Sequence, residues 1–450
     1  MEKEYSRHEH AKKRRKRRRK QKLIIKRCLV FGTPLLLIGL IVLLLFSCGK
    51  DKKGDKKAQE VSAPVTITKE EEPKEPVITT ATILSSGDVI LHSPFLSTGV
   101  YKTGNGGYDY SAIFNYIKGE YEAADFSITN LELTISDGNY SGYPLFRSPA
   151  TIATALKQSS VDMCLLANNH IYDNTDRGLL LTMDALDSNG LLYTGVQRTT
   201  TDKIYHIQDI NGIKVGIFNY VYETGEYNPS RVLINGNHVS DASADLINSF
   251  HYQNLDAMYS EIEAGLKEME DAGVEYTIAY IHWGTEYQTK ENTQQNQIAQ
   301  ELCNLGINAL IGGHPHVIQP IDLLTSNDGE HQMLCVYSMG NHLSNQNRLY
   351  MDSMPTGHTE DGLMVKLTLE KVDDGPVVLK AADFIPTWVY YTRRNGGSEY
   401  YILPLHNRDQ IIADTSSLSG SASGIDESLN RTNAIIGEGV EKVQAALPLK

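Results

Sequence analysis

The stretch Tyr276–His316 reads YTIAYIHWGTEYQTKENTQQNQIAQELCNLGINALIGGHPH. An apolar run over Tyr276–Ile281 and a second one over Ala309–Ile311 flank Thr293–Leu305, where apolar residues recur at helical spacing. Two short apolar runs separated by a helix are typical of parallel strands joined by a crossover helix. Histidine and glycine follow each run at once. The stretch therefore predicts an α/β fold with imidazoles at the carboxyl ends of parallel strands.

The same alternation extends over residues 79–350, which we predict to be one domain. The predicted strands are Thr80–Ser85, Asp125–Thr129, Val161–Leu166, Lys214–Tyr220, Tyr276–Ile281, Ala309–Ile311 and Leu334–Ser338. The predicted helices are Ala112–Ala123, Ile152–Gln158, Asp176–Asn189, Leu255–Ala272 and Thr293–Leu305. Asn211-Gly212 between two apolar runs predicts a hairpin.

Beyond residue 350 the sequence changes to long stretches in which apolar and polar residues alternate. Residues 351–413 therefore predict antiparallel strands that complete or flank the sheet. Residues 414–450 predict a linker, rich in Ser, Gly and Ala over 414–428, followed by a terminal helix over Asn430–Ala446. The predicted late strands are Leu363–Glu370, Val377–Phe384, Trp388–Thr392 and Tyr400–Pro404.

The charge of the chain is divided unevenly. Residues 1–27 carry fourteen Lys and Arg against three Glu, a net of +11, and the whole chain carries −13. The remaining residues therefore carry −24, an acidity that excludes nucleic acid as a partner because phosphate repels it. Five widely spaced cysteines also exclude a disulfide framework.

The basic segment lies directly before an uncharged segment, and this position indicates its role. Residues 28–47 contain no charged side chain, and as a helix they would span roughly 30 Å, the thickness of a bilayer core. We expect a single-pass anchor over residues 23–47, with residues 1–22 in the cytoplasm, a disordered stalk over 48–78 and the main domain outside the cell. The alternative is a bacterial lipoprotein anchored through Cys48, which leaves the domain on the same side.

Polar residues collect where the predicted strands end. In open α/β sheets, binding sites lie beyond the carboxyl ends of the strands, so these six segments are expected to meet in one crevice. Carboxylates, an amide and imidazoles together suit Mn, Fe or Zn, and a pair of such ions needs a bridging carboxylate. The segments are Gly87-Asp88, Asn130-Leu-Glu132, Asn168-Asn169-His170, His282-Trp-Gly-Thr-Glu286, Gly313-His314-Pro-His316 and Gly340-Asn341.

Other histidines and aromatics have simpler explanations. His92, His238 and His342 are expected to be structural or surface residues, and Trp283 and Tyr287 are expected to be core aromatics that cover a strand end. The alternative for Trp283 and Tyr287 is that they stack on a substrate, and we assign the three histidines no role in binding.

Taken in order, the segments resemble the CapA (PgsA-like) poly-γ-glutamate capsule synthesis family, a branch of the calcineurin-like metallophosphatase superfamily. The resemblance covers roughly residues 80–350 and implies an αββα sandwich that takes part in capsule production at the cell surface. The matching elements are Gly87-Asp88-Val89, Asn130-Leu131-Glu132, Asn168-Asn169-His170, His282-Trp283-Gly284-Thr-Glu286-Tyr287, Gly313-His314-Pro315-His316 and Tyr337-Ser-Met-Gly-Asn341.

The resemblance also implies roles for single residues. Asp88 would bind the first of two divalent metals (Mn, Fe or Zn), Glu132 would bridge both, and Asn169 would bind the second. His170 would act on the substrate without binding metal. The remaining metal ligands would be His282, His314 and His316, and Asn130, Glu286 and Asn341 would contact the ligands or the substrate. The chain departs from the wider superfamily in having no Asp-x-His start and in carrying Glu132 where an Asp is usual.

Two functions follow from this resemblance. The first is a surface hydrolase of phosphoester type that uses two metals. The second is a non-catalytic capsule assembly or export factor, whose crevice binds the poly-γ-glutamate polymer or capsule synthesis membrane proteins.

Overall fold

The computed structural model describes residues 75–394, 397–418 and 420–449. The strands, in chain order, are β1 Ile78–Val89, β2 Phe126–Leu131, β3 Thr134–Ile135, β4 Arg147–Ser148, β5 Met163–Leu165, β6 Leu192–Thr194, β7 Tyr205–Ile210, β8 Ile213–Tyr222, β9 Leu233–Ile234, β10 Asn237–His238, β11 Ser249–Phe250, β12 Tyr276–His282, β13 Ala309–Gly313, β14 Ile321–Thr325, β15 Gln332–Val336, β16 Asn341–Leu343, β17 Asp361–Val372, β18 Val378–Arg394 and β19 Gly397–Pro404.

The helices, in chain order, are α1 Ser93–Ser97, α2 Lys118–Glu122, α3 Thr151–Gln158, α4 Thr175–Ser188, α5 Asp241–Ala244, α6 Leu255–Asp271, α7 Thr293–Leu305, α8 Arg408–Asp414 and α9 Ser421–Ala446. Short 3₁₀ turns cover Gly99–Tyr101, Ser111–Phe114 and His358–Glu360. The predicted basic segment, membrane anchor and most of the stalk lie outside the described residues. Among the helices that are described, none combines the length and the apolar character needed to cross a bilayer.

Sheet one has the strand order β19-β18-β17-β1-β2-β5-β6, and β16 also pairs with β1. Strands β1, β2, β5 and β6 are parallel, whereas β17, β18 and β19 are antiparallel to their neighbours. The late strands predicted to complete the sheet thus form a large part of it, through pairing of β17 with β1.

Sheet two has the strand order β11-β8-β12-β13-β15-β14, with β7 paired to β8 in a hairpin. Strands β8, β12, β13 and β15 are parallel. The hairpin is the one predicted from Asn211-Gly212, where both residues take positive φ as a tight two-residue turn requires.

Three buried clusters show that the layers run helix, sheet, sheet, helix. The middle cluster joins the facing sides of the two sheets, for example Ile83 and Ile128 of sheet one with Ile217 and Ile278 of sheet two. The outer face of sheet one packs on α3 and α4, and the outer face of sheet two packs on α6 and α7. Such packing covers both faces of each sheet, as the near-continuous apolar runs of parallel strands require.

Some element boundaries differ from those predicted. Val377–Phe384 and Trp388–Thr392 form the single strand β18, because the carbonyl of Pro386 accepts from Leu405 N at 2.8 Å and pairing continues past the proline. The helix predicted over Ala112–Ala123 is a 3₁₀ turn followed by the short α2.

The terminal helix begins earlier than the composition predicts. Helix α9 starts at Ser421, inside the segment expected to be a linker, and buries Ile425 and Ser428. The carboxylate of Asp361 accepts hydrogen bonds of 2.6 Å from Ser428 Oγ and from Arg431 Nε. These tertiary contacts offset the low helix propensity of Ser and Gly.

Candidate metal centre

Asp88 is aimed into the crevice by an irregularity in β1. The register of β1 against β2 shifts between Ser86 and Asp88, and such a bulge redirects the side chain that follows it. Gly87 makes the bulge feasible, because a Cβ there would lie 2.0 Å from the carbonyl oxygen of Gly340. The backbone N–H of Asp88 donates to that same carbonyl at 3.1 Å.

Two asparagines hold the carboxylates of sheet one in place. Asn130 Nδ2 donates to Asp88 Oδ1 at 2.7 Å and lies 3.5 Å from Glu132 Oε2. Asn168 Nδ2 donates to Asn130 Oδ1 at 3.1 Å. Asp88, Asn130 and Glu132 are all buried, so the amides supply polar contacts that water would otherwise make.

Sheet two supplies the imidazoles. His282 is the last residue of β12, and His314 and His316 follow β13 directly. His314 has φ of 98° and His316 has φ of 57°, a region that residues other than glycine rarely occupy. Backbone strain of this kind persists where the surroundings fix it, and it is common at functional sites.

The side chains from both sheets form two adjacent groups that share Glu132. One group is Asp88, Glu132 and His316, and the other is Glu132, His282 and His314; within each group the ligand atoms lie within 4.8 Å of one another. Glu132 Oε1 is 3.7 Å from His282 Nε2 and 3.8 Å from His316 Nε2. A carboxylate between two ligand groups has the position of a bridge between two cations.

Asn169 lies at the second of these groups. Its Oδ1 is 2.7 Å from His282 Nε2, so both atoms face the same point. The structure thus brings together all six residues predicted as ligands, and their binding of metal stays a prediction.

The chemistry of the donor set fits a metal. Glu132 Oε1 and His314 Nδ1 are buried and have no hydrogen-bond partner among the described residues, an arrangement that normally costs about 1–3 kcal/mol for each group. A divalent cation would satisfy both atoms. Nitrogen and oxygen donors without thiolate favour Mn, Fe or Zn.

Burial and neighbouring ligands shift the pKa values of the buried ligand residues. Burial and, next, the proximity of Asp88 raise the pKa of Glu132 well above its usual value. Burial would also raise the pKa of Asp88, but hydrogen bonding and charge from His316 hold it below its usual value. Burial lowers the pKa of His282 and of His314, so these imidazoles are neutral and available as ligands at neutral pH.

His170 is held by Asp173, a residue that the strand-end motifs do not include. Its Nδ1 lies 2.6 Å from Oδ2 of Asp173, and Phe146 N donates to the same oxygen at 2.7 Å. The ring of Phe146 meets the His170 ring edge-on at 4.6 Å. The sequence signal that could have identified Asp173 is its position three residues after His170, because this spacing brings two side chains together in a turn.

Asn341 and Glu286 occupy different places around the centre. Asn341 Nδ2 donates to the carbonyl oxygens of Thr359 at 2.9 Å and of His316 at 3.3 Å, so Asn341 supports the loop that carries the histidine. Glu286 is exposed, and its charge is among the causes that raise the pKa of Glu132. We therefore place Asn341 behind the ligands and Glu286 at the rim.

The residues expected to be structural divide into two sets. Trp283 is fully buried and donates to the carbonyl of Tyr337, and His342 is buried with Nε2 2.7 Å from Tyr121 OH; His238 is exposed. By contrast, Tyr287 is half-buried with its ring 6.1 Å from that of His316. Of the two positions expected for Tyr287, the structure fits the one beside the crevice and not the one in the core; its backbone has a positive φ of 63°.

Comparisons with known proteins agree on one family. The profile described as "Bacterial capsule synthesis protein PGA_cap" matches residues 82–346. The chain is 24% identical over 295 residues to the capsule biosynthesis protein CapA of Bacillus anthracis, a match that covers 65% of this chain and 59% of that one. It is 22% identical over 270 residues to the PGA biosynthesis protein CapA of Bacillus subtilis (strain 168), covering 59% of this chain and 63% of that one.

The chain thus spans about three fifths of the length of these relatives. Among solved structures, the 5'-nucleotidase precursor from Thermus thermophilus aligns with a TM-score of 0.37 and 13% identity, over 79% of this chain and 58% of that one. The family profile covers more than half of the chain and includes every residue placed at the centre. The protein belongs to the bacterial capsule synthesis protein PGA_cap family.

Proposed function

We propose that this protein is a metal-dependent hydrolase of phosphoester type, with a calcineurin-like metallophosphatase architecture, that acts in capsule synthesis. The observation that carries the proposal is the buried carboxylate of Glu132 shared by two ligand groups. The helix-sheet-sheet-helix layering and the position of the ligands at strand ends support it.

The ligand roles follow from the two groups. Asp88 and His316 would hold the first metal, His282, His314 and Asn169 would hold the second, and Glu132 would bridge them. Two divalent ions held there would supply Lewis-acid polarisation of a phosphoryl oxygen and activation of a water molecule at neutral pH.

His170 has the arrangement of a proton donor. Its Nδ1 is engaged by Asp173, which leaves Nε2 as the nitrogen that can reach a leaving group. The carboxylate fixes the orientation and the tautomer of the ring, as in other histidine–carboxylate pairs. His170 therefore protonates the departing oxygen, while Phe146 keeps the ring in place and excludes water from one side.

The substrate and location extend the proposal beyond the site. The chain after residue 27 carries −24, so an anionic polymer or phosphoester would be repelled unless metals supply positive charge. We place the protein at the cell membrane, with its uncharged segment over residues 28–47 as the anchor and its domain outside. The partners would be the poly-γ-glutamate polymer and capsule synthesis membrane proteins.

A metal analysis combined with one substitution tests the function. The purified full chain is expected to bind two divalent transition metals and to hydrolyse p-nitrophenyl phosphate or its diester. His170→Ala should retain both metals and lose turnover by about 10²–10⁴-fold, the usual worth of an acid–base residue. A folded protein that takes up no metal would overturn the proposal. Metal uptake without turnover, and with capsule formation intact in His170→Ala cells, would favour the non-catalytic assembly factor.

A further inference from the structure

The two ring nitrogens of His314 have different surroundings. Nε2 lies 3.1 Å from the hydroxyl of Tyr222. Nδ1 is buried without a hydrogen-bond partner among the described residues, and the whole residue is 3% exposed. Nε2 is therefore satisfied by a protein side chain, which leaves Nδ1 as the nitrogen available to serve as the ligand atom of His314 in the group with Glu132 and His282.

Tyr222 is fixed in this position by sheet two. It is the last residue of β8, which pairs with β12 so that Val221 lies opposite His282. The rings of Tyr222 and His314 are 4.8 Å apart, and Tyr252 also packs on Tyr222, with ring centroids 6.0 Å apart. The tyrosine thus stands directly behind the histidine, on a rigid strand end rather than a loop.

We propose that Tyr222 is a positioning residue for the second metal: it keeps the ring proton of His314 on Nε2 and so presents the lone pair of Nδ1 to the ion. The proposal rests on the proposed function. A metal on Nδ1 requires a proton on Nε2, where it donates to the phenol oxygen. Partners of this kind fix the tautomer and orientation of ligating histidines, and they are worth about 10–100-fold in metal affinity.

The tyrosine does not act as a ligand in its own right. Its hydroxyl lies 3.1 Å from His314 Nε2, so it acts on the ion through the histidine. Carboxylate or carbonyl partners are the usual choice for a ligating histidine. A neutral phenol is a weaker acceptor, so we expect an effect near the lower end of that range.

The two ligand groups make the effect selective. Asp88, Glu132 and His316 form a group that does not include His314, the ring that Tyr222 contacts. Loss of the hydroxyl should therefore weaken one metal position and leave the other unchanged. A general loosening of the fold would weaken both.

The test is a titration of the metal-free full chain with Co²⁺, followed by absorption and by isothermal calorimetry. His314→Ala and His316→Ala first assign the two binding steps to the two positions. Tyr222→Phe should then weaken the step assigned to His314 by about tenfold and change its Co²⁺ absorption band, with the other step within about twofold of the wild type. Tyr205→Phe is the matched control, because its hydroxyl donates to the exposed Glu268 at 2.8 Å on the same sheet, and it should titrate like the wild type.

The outcomes separate this proposal from the function on which it rests. A wild-type protein that takes up no Co²⁺ overturns both. If the wild type binds two ions and Tyr222→Phe binds both with unchanged affinity, only the assignment of Tyr222 is overturned. The same holds if Tyr222→Phe weakens both binding steps equally. Should Tyr222→Phe not fold, Tyr222→Gln and Tyr222→Met replace it, and the glutamine, which keeps an acceptor, should bind the second ion more tightly than the methionine.

Discussion

The two sheets contribute opposite halves of the candidate metal centre. Sheet one supplies oxygen donors and their amide supports, namely Asp88, Asn130, Glu132 and Asn169, whereas sheet two supplies the imidazoles of His282, His314 and His316. Neither sheet alone presents a complete set for either metal, because each group combines members from both. The centre is therefore a product of sheet-on-sheet packing, and the two halves should respond differently to substitution.

The largest expected effect is on the number of bound metal ions. It should differ between Glu132, which both ligand groups share, and the imidazoles, which each belong to one group. Glu132→Gln should reduce bound metal from two ions towards none, since an amide cannot bridge two cations as a carboxylate does. His314→Ala should lose one ion and retain the other. Metal content of the purified proteins measures both. Loss of a single ion in Glu132→Gln would contradict the shared role.

The next effect concerns His170, an imidazole on the side of sheet one. Asp173→Asn should lower turnover of p-nitrophenyl phosphate by about a hundredfold, within the range for acid–base residues, because an amide no longer fixes the orientation and tautomer of the His170 ring. Bound metal should stay at the wild-type level, as measured in the same samples. A fall in metal content would show that Asp173 supports the ligands rather than the proton donor.

A smaller effect concerns the segment that crosses from sheet two to sheet one, Tyr337–Gly340. This crossing segment approaches Gly312 of sheet two so closely that a Cβ there would lie 2.0 Å from Tyr337 O. Gly312→Ala should therefore destabilise the fold by about 1–3 kcal/mol, measured by urea unfolding.

Gly437→Ala in α9 is the matched control, because a Cβ at that position meets no atom within 4 Å. Alanine favours a helix, so this variant should unfold at the wild-type midpoint or gain about 0.5–1 kcal/mol. Equal destabilisation of both variants would show that the crossing segment is not the cause.

The smallest effect is a dependence on pH in the metal-free protein. The pKa of Glu132 is raised above 4.5 in the fold, so the stability its protonated form contributes is present at low pH and is lost as pH rises through the raised value. Glu132→Gln cannot lose a proton. The melting temperature of Glu132→Gln minus that of the wild type, both in chelator, should therefore grow as the pH rises above the usual glutamate pKa. A constant difference would argue against the raised pKa.

Much of the centre could be predicted because its residues follow strands directly in the sequence. His282 and the pair His314 and His316 adjoin apolar runs, and the carboxyl-end rule for parallel strands then places them at one edge. Asp173 could have been predicted from its spacing to His170. Tyr222 could not, because its contact with His314 depends on the order of strands in sheet two, which no local pattern gives.

The structure of the C-terminal part of the chain was harder to predict from sequence, for a different reason. Residues 421–428 lie in the segment predicted to be a linker, yet they are helical because Ser428 and Arg431 both donate to Asp361 and Ile425 is buried. Asp361 is 67 residues from Ser428 and 70 from Arg431 in sequence, so no local propensity contains the information. The position of Tyr287 depends in the same way on a backbone conformation that the residue type disfavours.

The pairing of β1 with β17 determines when sheet one can be completed during synthesis of the chain. Ile78 lies opposite Val372, so the strand that carries Asp88 lacks one neighbour until the whole of the intervening chain has left the ribosome. Until then its unpaired edge is open to other chains, the condition under which strands aggregate. Closing so long a loop also makes folding slow. The strand that carries Asp88 can therefore gain its full set of neighbours only after β17 has been synthesised.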